Sequence, residues 1–226
     1  MALQLEAMQP SDIDSFINIQ QDAFAAAPSN HLRIFYPQGR TPSHAKNLKD
    51  VNTQYNLIRD SQTDEIISVA KWNFQPNTRS REELDAEETK ARQERAEQAP
   101  VEDIDFGVIS VFREAQAKAK RAILGGRAYV YLHILATAPE HQGRGAGSMQ
   151  LEWGLAKAEA LGLPVYLEST MTGQPLYLHH GFKPVVQLDC NARDYGLDDR
   201  AEHWCMIREP KGKAETAQSV VAGCAL

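Results

Sequence analysis

Apolar and polar residues alternate in "LQLEAM" (3–8), which predicts a short strand with one covered face. In "PSDIDSFINIQQDAF" the period lengthens: Ile13, Phe16, Ile17, Ile19 and Phe24 follow a capping serine or aspartate at helical spacing. A strand running into a helix is expected there. Residues 25–50 hold no sustained period, with "RIFYPQ" a candidate helical turn. "QYNLIRD" and "IISVAKWNF", separated by the polar "SQTDE", predict a hairpin closed by Pro76 and "NTRS".

Residues 79–99 carry charges of both signs and one large apolar side chain, Leu84. That is the pattern of a solvated helix held by i,i+4 charge pairs rather than of a binding surface. Over 102–126, Ile104, Val108, Val111, Phe112 and Ala115 restore an apolar helical face that should pack on a sheet, and Gly125-Gly126 stops it. Together 79–126 reads as a helical insertion between the third and fourth strands. "AYVYLHILATA" (128–138) is almost continuously apolar, as a central strand covered on both faces would be. In the helix that follows, Leu151, Leu155 and Ala158 mark one stripe and Trp153, Ala156 and Ala160 the opposite one, so burial on two sides is expected. Gly162 and Pro164 end it and "VYLEST" resumes as a parallel strand. "PLYLHHGF" reads as a small helix, and "KPVVQLDCNARD" with "AEHWCMIREP" as a closing antiparallel pair joined through "YGLDDR".

Length and composition narrow the class. With 226 residues, 42% hydrophobic and 24% charged, the chain suits one globular domain over 1–211, with 212–226 as a flexible tail. No apolar run approaches the roughly 18–20 residues of a membrane span, and the start lacks both a basic lead and an apolar block. No membrane partner and a cytoplasmic location are therefore expected. A net charge of -6 removes the electrostatic case for a nucleic-acid partner. Cys190, Cys205 and Cys224 share no metal-type spacing, so reduced thiols and no metal are expected. Cys224 also stands one place too late for prenylation.

Candidate chemistry centres on "PEHQGRGAGSMQLEWGLAKAEALG" (139–162), where glycines precede a helix. Glycine lets backbone N–H groups approach an anion, and the helix N-terminus adds roughly half a positive charge. No Gly-Lys-Ser or Gly-Lys-Thr follows, which excludes a nucleotide P-loop. Gly143 and Gly145 fit the first two positions of a dinucleotide fingerprint, but Ser148 occupies the third. A diphosphate remains a good match for the cradle.

"Gln142-Gly143-Arg144-Gly145-Ala146-Gly147" resembles the Gln/Arg-x-x-Gly-x-Gly/Ala signature of the GNAT superfamily of acetyl-CoA-dependent N-acetyltransferases. "Leu176-Tyr177-Leu178-His179-His180-Gly181-Phe182" is similar to its downstream Leu-Tyr-x-x-x-Gly-Phe segment, and the helical insertion resembles a subset seen in fungi. The resemblance, best over about 128–185, implies an α/β (α+β) fold: a mixed, mostly antiparallel sheet with a parallel pair of fourth and fifth strands, flanked by helices. It implies acetyl-CoA as co-substrate, its diphosphate held by backbone amides of Gln142, Gly143, Arg144, Gly145, Ala146, Gly147 and Ser148. The backbone of Leu135, Ala136 and Thr137 would pair with the pantetheine arm, and Tyr177 would protonate the departing sulfur. Thr170 departs from the pattern, standing where an asparagine is common seven residues before the tyrosine.

Acetyl transfer also needs a base, and two residues offer one. His133 is the ionisable group inside the apolar strand, placed by alternation on the side of Tyr131, Leu135 and Thr137. Glu168, near the end of the next strand, is the second, while His179 and His180 read as ordinary helix-surface residues. A small-molecule primary amine is the expected acceptor. The alternatives are a protein or peptide amine, or a coenzyme A sensor without catalysis; whether the protein forms a homodimer stays open.

Overall fold

The computed structural model describes residues 2–26, 48–97, 106–190 and 201–212. The expected turn "RIFYPQ", the connection "YGLDDR", Ile104 and the tail beyond residue 212 lie outside them. In chain order the elements are β1 (Leu3–Ala7), α1 (Ile13–Ala25), β2 (Thr53–Asp60), β3 (Glu65–Gln75), α2 (Arg81–Ala96), α3 (Phe106–Leu124), β4 (Tyr129–Thr137), α4 (Ala146–Leu161), β5 (Val165–Thr170), α5 (Gln174–His179), β6 (Lys183–Cys190) and β7 (Ala201–Arg208). The strands form one seven-stranded sheet, ordered β1-β2-β3-β4-β5-β7-β6. Only β4 and β5 run parallel, because α4 carries the chain back across the sheet between them. Among the described residues no helix is long and apolar enough to cross a membrane.

Alternation along the strands sorts the core into two faces. On one, α4 sets Leu151, Leu155 and Ala158 against Trp72, Val130, Leu132, Val165, Leu167 and Met206. On the other, α1 packs Phe16 and Ile19 on Tyr55, Leu57 and Val69, while α3 packs Ala115, Ala119 and Ile123 near Tyr129, Tyr131 and Tyr166. Gly154 lets α4 lie close to the sheet, since a Cβ there would collide with the indole of Trp72. Two helix expectations need correcting. Burial of α4 is one-sided: Ala156 and Ala160 are exposed, because small residues on the outer face satisfy helix propensity without a second packing partner. On α3, Phe112 is buried but Val111, one position round the helix, is 38% exposed.

Ser80 and Glu83 start α2 with a reciprocal cap: Glu83 N–H donates to Ser80 Oγ at 3.2 Å and Ser80 N–H to the Glu83 carboxylate at 2.7 Å. Arg121 of α3 ties the two helices together through Asp85 (2.6 Å) and Glu88 (3.3 Å).

Candidate active site

β4 and β5 pair only at Val130↔Val165 and Tyr131↔Tyr166. Beyond these residues β4 stays bound to β3 as far as Thr137, while β5 stays bound to β7 as far as Thr170. The two parallel strands therefore part, and among the described residues the edge of β4 that faces β5 has no strand partner past Tyr131. A bulge falls at the same level. Trp72 pairs with Leu132 and Lys71 with Ile134, so His133 is the extra residue between them.

That bulge overturns the expected grouping of His133 with both Tyr131 and Leu135. An inserted residue reverses the side-chain alternation beyond it. Tyr131 belongs to the cluster under α3, whereas Leu135 packs into the cluster under α4. His133 goes with Tyr131, their ring centres 3.7 Å apart, and away from Leu135 and Thr137.

At the end of β4, Leu135, Ala136 and Thr137 line a cleft of about 530 Å³ with Gln142, Gly143, Gly145, Ala146, Gly147 and Ser148. Gly143 and Gly145 take φ of 76° and 89°, left-handed conformations that a side chain would strain, and Gly145 caps the N-terminus of α4. Among the described residues, chain neighbours aside, no atom lies within 4 Å of where their Cβ atoms would be, so the backbone there is open to a ligand. Arg144 stands between these two glycines. Its guanidinium turns to Asp60 (2.5 Å) and to His141 Nδ1 (2.8 Å), and it is chiefly the bond to Arg144 that holds the Asp60 carboxyl below its usual pKa.

Across the same cleft stands Tyr177, 8% exposed and packed edge-on to Phe182 at 5.8 Å. Burial raises its pKa above that of a free tyrosine, so it is a protonated donor at neutral pH. Thr170, the departure from the family pattern, acts locally. Its Oγ1 accepts the N–H of Gly173 at 3.2 Å in the turn before α5. His179 is exposed, as expected. His180 is half-buried, its Nε2 3.2 Å from Ser148 Oγ.

A second cleft, about 370 Å³, opens on the α3 side and is lined by His133, Tyr131, Gln75, Lys120, Glu88 and other residues of α2 and α3. His133 keeps solvent access here, yet the surrounding protein, and then the charges of Lys71 and Lys120, push its pKa well below 6.5. It is a neutral imidazole at pH 7. Glu168 is half-buried, and Tyr131 and Tyr166 donate to its two oxygens at 2.5 and 2.8 Å. Burial raises its pKa, against the opposing pull of the Tyr131 hydrogen bond and the charge of Lys120.

The structure thus joins His133 and Glu168 through Tyr131 and places Tyr177 with the glycine loop. Sequence reasoning missed Lys71, Lys120 and Tyr166, and it read 79–99 chiefly as a solvated helix, whereas Leu84, Glu87, Glu88, Ala91 and Arg92 line the second cleft. The available signal was Lys120's place beside the buried stripe of α3.

Residues 70–182, half of the chain, match the acetyltransferase (GNAT) family, and the span takes in both the glycine loop and the tyrosine segment. The chain belongs to the GNAT family. That family is one of acetyltransferases, which generally draw on acetyl-CoA. Among curated relatives, a "probable acyltransferase SID5" of Ajellomyces capsulatus is 46% identical over 44 residues, 20% of this chain and 32% of that protein. The match spans about a third of that relative's length. Solved GNAT structures extend the similarity to the whole fold. Arylalkylamine N-acetyltransferase 2 of Aedes aegypti superposes with a TM-score of 0.65 at 17% identity, covering 92% of this chain and 98% of its own. A Corynebacterium glutamicum structure described as histone acetyltransferase HPA2 and related acetyltransferase gives 0.57 at 21% identity, covering 96% and 99%.

Proposed function

We propose that the protein transfers the acetyl group of acetyl-CoA to a primary amine of a small molecule. The cleft at the end of β4 carries this reading, because it brings the glycine cradle, the edge of β4 freed where β5 parts from it, and Tyr177 together. The open backbone at Gly143 and Gly145, with the N-terminus of α4 behind it, suits the diphosphate of coenzyme A. The free edge of β4 from Leu135 to Thr137 suits an extended amide-bearing arm, which would add to it as a strand does. Acetyl-CoA supplies an activated acyl carbon and a thiolate leaving group.

The chain's own groups supply the rest of the chemistry. A backbone N–H near Leu135 polarises the acyl carbonyl. His133, neutral and open to the second cleft, takes the proton of the acceptor ammonium directly or through water. Glu168 has both oxygens engaged, so it serves to hold Tyr131 beneath the His133 ring. Tyr177 returns a proton to the thiolate. The size of the second cleft favours a small acceptor over a folded protein.

Thermal denaturation with acetyl-CoA, followed by thiol release over a panel of small amines and basic peptides, tests this. A rise in Tm with acetyl-CoA, and release accelerated more by small amines than by peptides, is expected. No Tm shift at millimolar acetyl-CoA would overturn the cofactor assignment, and faster release with peptides the acceptor class.

A further inference from the structure

The cations around the second cleft divide into two kinds. Arg79 is tied to Glu87, Arg92 to Glu88, and Arg121 to Asp85 and Glu88. Lys120 is different. Among the described residues it forms no ion pair, and its Nζ lies 5.0 Å from the centre of the Tyr131 ring that stacks on His133. Lys71 stands near the same bulge, its Nζ 5.6 Å from the centre of the Tyr55 ring, and it too acts on His133. Glu168, which feels the charge of Lys120, is already held by two tyrosine hydroxyls, and Glu87 and Glu88 of the cleft wall are taken by the arginines, which leaves Glu114 as the remaining carboxylate of the lining.

The lining thus holds four cations, Arg79, Arg92, Lys120 and Arg121, against three carboxylates, Glu87, Glu88 and Glu114, with Lys71 and the committed Glu168 beyond it. A plain alkylammonium entering that field adds to its excess of positive charge. An acceptor with its own acidic group enters with its charge balanced, and a lysine ammonium is a point charge that suits either a carboxylate or a phosphate. We propose that the acceptor carries a carboxylate or phosphate ester close to its reactive amine, and that Lys120 anchors this acidic group. The proposal rests on the transfer reading above and narrows its substrate class. It also gives α3 a role beyond packing, since the helix brings the selecting charge to the bulge.

The test compares ω-aminoalkanoates and aminoalkyl phosphates with alkylamines of equal length, in wild type, Lys120→Met and Lys120→Arg. Acidic acceptors should exceed their matched alkylamines by about tenfold or more in kcat/KM. Lys120→Met should erase that preference through KM, and Lys120→Arg should restore it. Whether the carboxylate or the phosphate series leads identifies the group. Equal use of acidic and plain amines, or an equal loss for both in Lys120→Met with unchanged circular dichroism, overturns the proposal. Calorimetric titration of the same acids separates the two readings. Lys120-dependent binding without thiol release keeps the anchor and sinks the transfer reading, whereas thiol release from alkylamines with no binding of acids does the reverse.

Discussion

The cleft beside α4 and the cleft beside α3 are made of different material. The one beside α4 offers backbone features to a ligand, left-handed glycines, a helix N-terminus and a strand edge, with Tyr177 facing them and the Arg144 side chain turned away to Asp60. The one beside α3 is built from side chains drawn from β3, α2, α3, β4 and, behind Tyr131, Glu168 of β5. A backbone site tolerates little change in residue type, since it needs particular φ values and particular gaps. A side-chain site can be rewritten residue by residue without disturbing the sheet, so a shared cofactor belongs to the first and a particular acceptor to the second.

If this division holds, variants on the two sides should fail in different ways. The largest effect is expected where each side meets the chemistry. Tyr177→Phe should lower kcat by about a hundredfold or more while acetyl-CoA affinity changes little. Removal of His133 should be nearly as damaging, and its pH dependence is diagnostic. Its pKa is depressed, so the wild-type rate should fall on the acid side with a midpoint below 6.5. His133→Gln should abolish that limb, and a pH-rate profile with the limb intact would remove His133 as the base.

An intermediate effect is expected from Gly145→Val. A β-branched residue at φ 89° costs about 1–3 kcal/mol of strain unless the loop moves. Acetyl-CoA affinity should fall about tenfold to a hundredfold with acceptor KM unchanged, as calorimetry and steady-state kinetics would show. Equal losses on both sides would mean that the two clefts are not separable.

The same division explains what could be read from sequence. The hairpin, the crossover through α4 and the glycine loop were legible because each is local: a period, a glycine stop or a left-handed turn leaves its mark within a few residues. The Tyr177 segment was legible for the same reason. The bulge at His133 was not, because nothing in "YVYLHILAT" distinguishes an inserted residue from a regular one; only the pairing of Trp72 with Leu132 and Lys71 with Ile134 reveals it. Lys120 was equally hidden. On a helix rich in alanine and charge it looks like any solvated lysine until Tyr131, eleven residues on and in another element, is brought under it.

The smallest expected effect is also the sharpest check on the idea of a backbone site. Arg144 lies within the glycine signature, yet its guanidinium faces Asp60 and His141 rather than the cleft. Arg144→Met should therefore leave acetyl-CoA affinity within about twofold, the range of an ordinary surface change. What it should lose is a little stability. Asp60 titrates below its unfolded value of 3.8 because Arg144 bonds to it, so that contribution is present above pH 3.8 and disappears as pH falls through the lower folded value. The Tm of Arg144→Met should lie slightly below wild type at neutral pH, and the gap should close only in that acid range. A large loss of acetyl-CoA affinity would instead show the Arg144 side chain reaching the cleft, and the cradle would then be more than backbone.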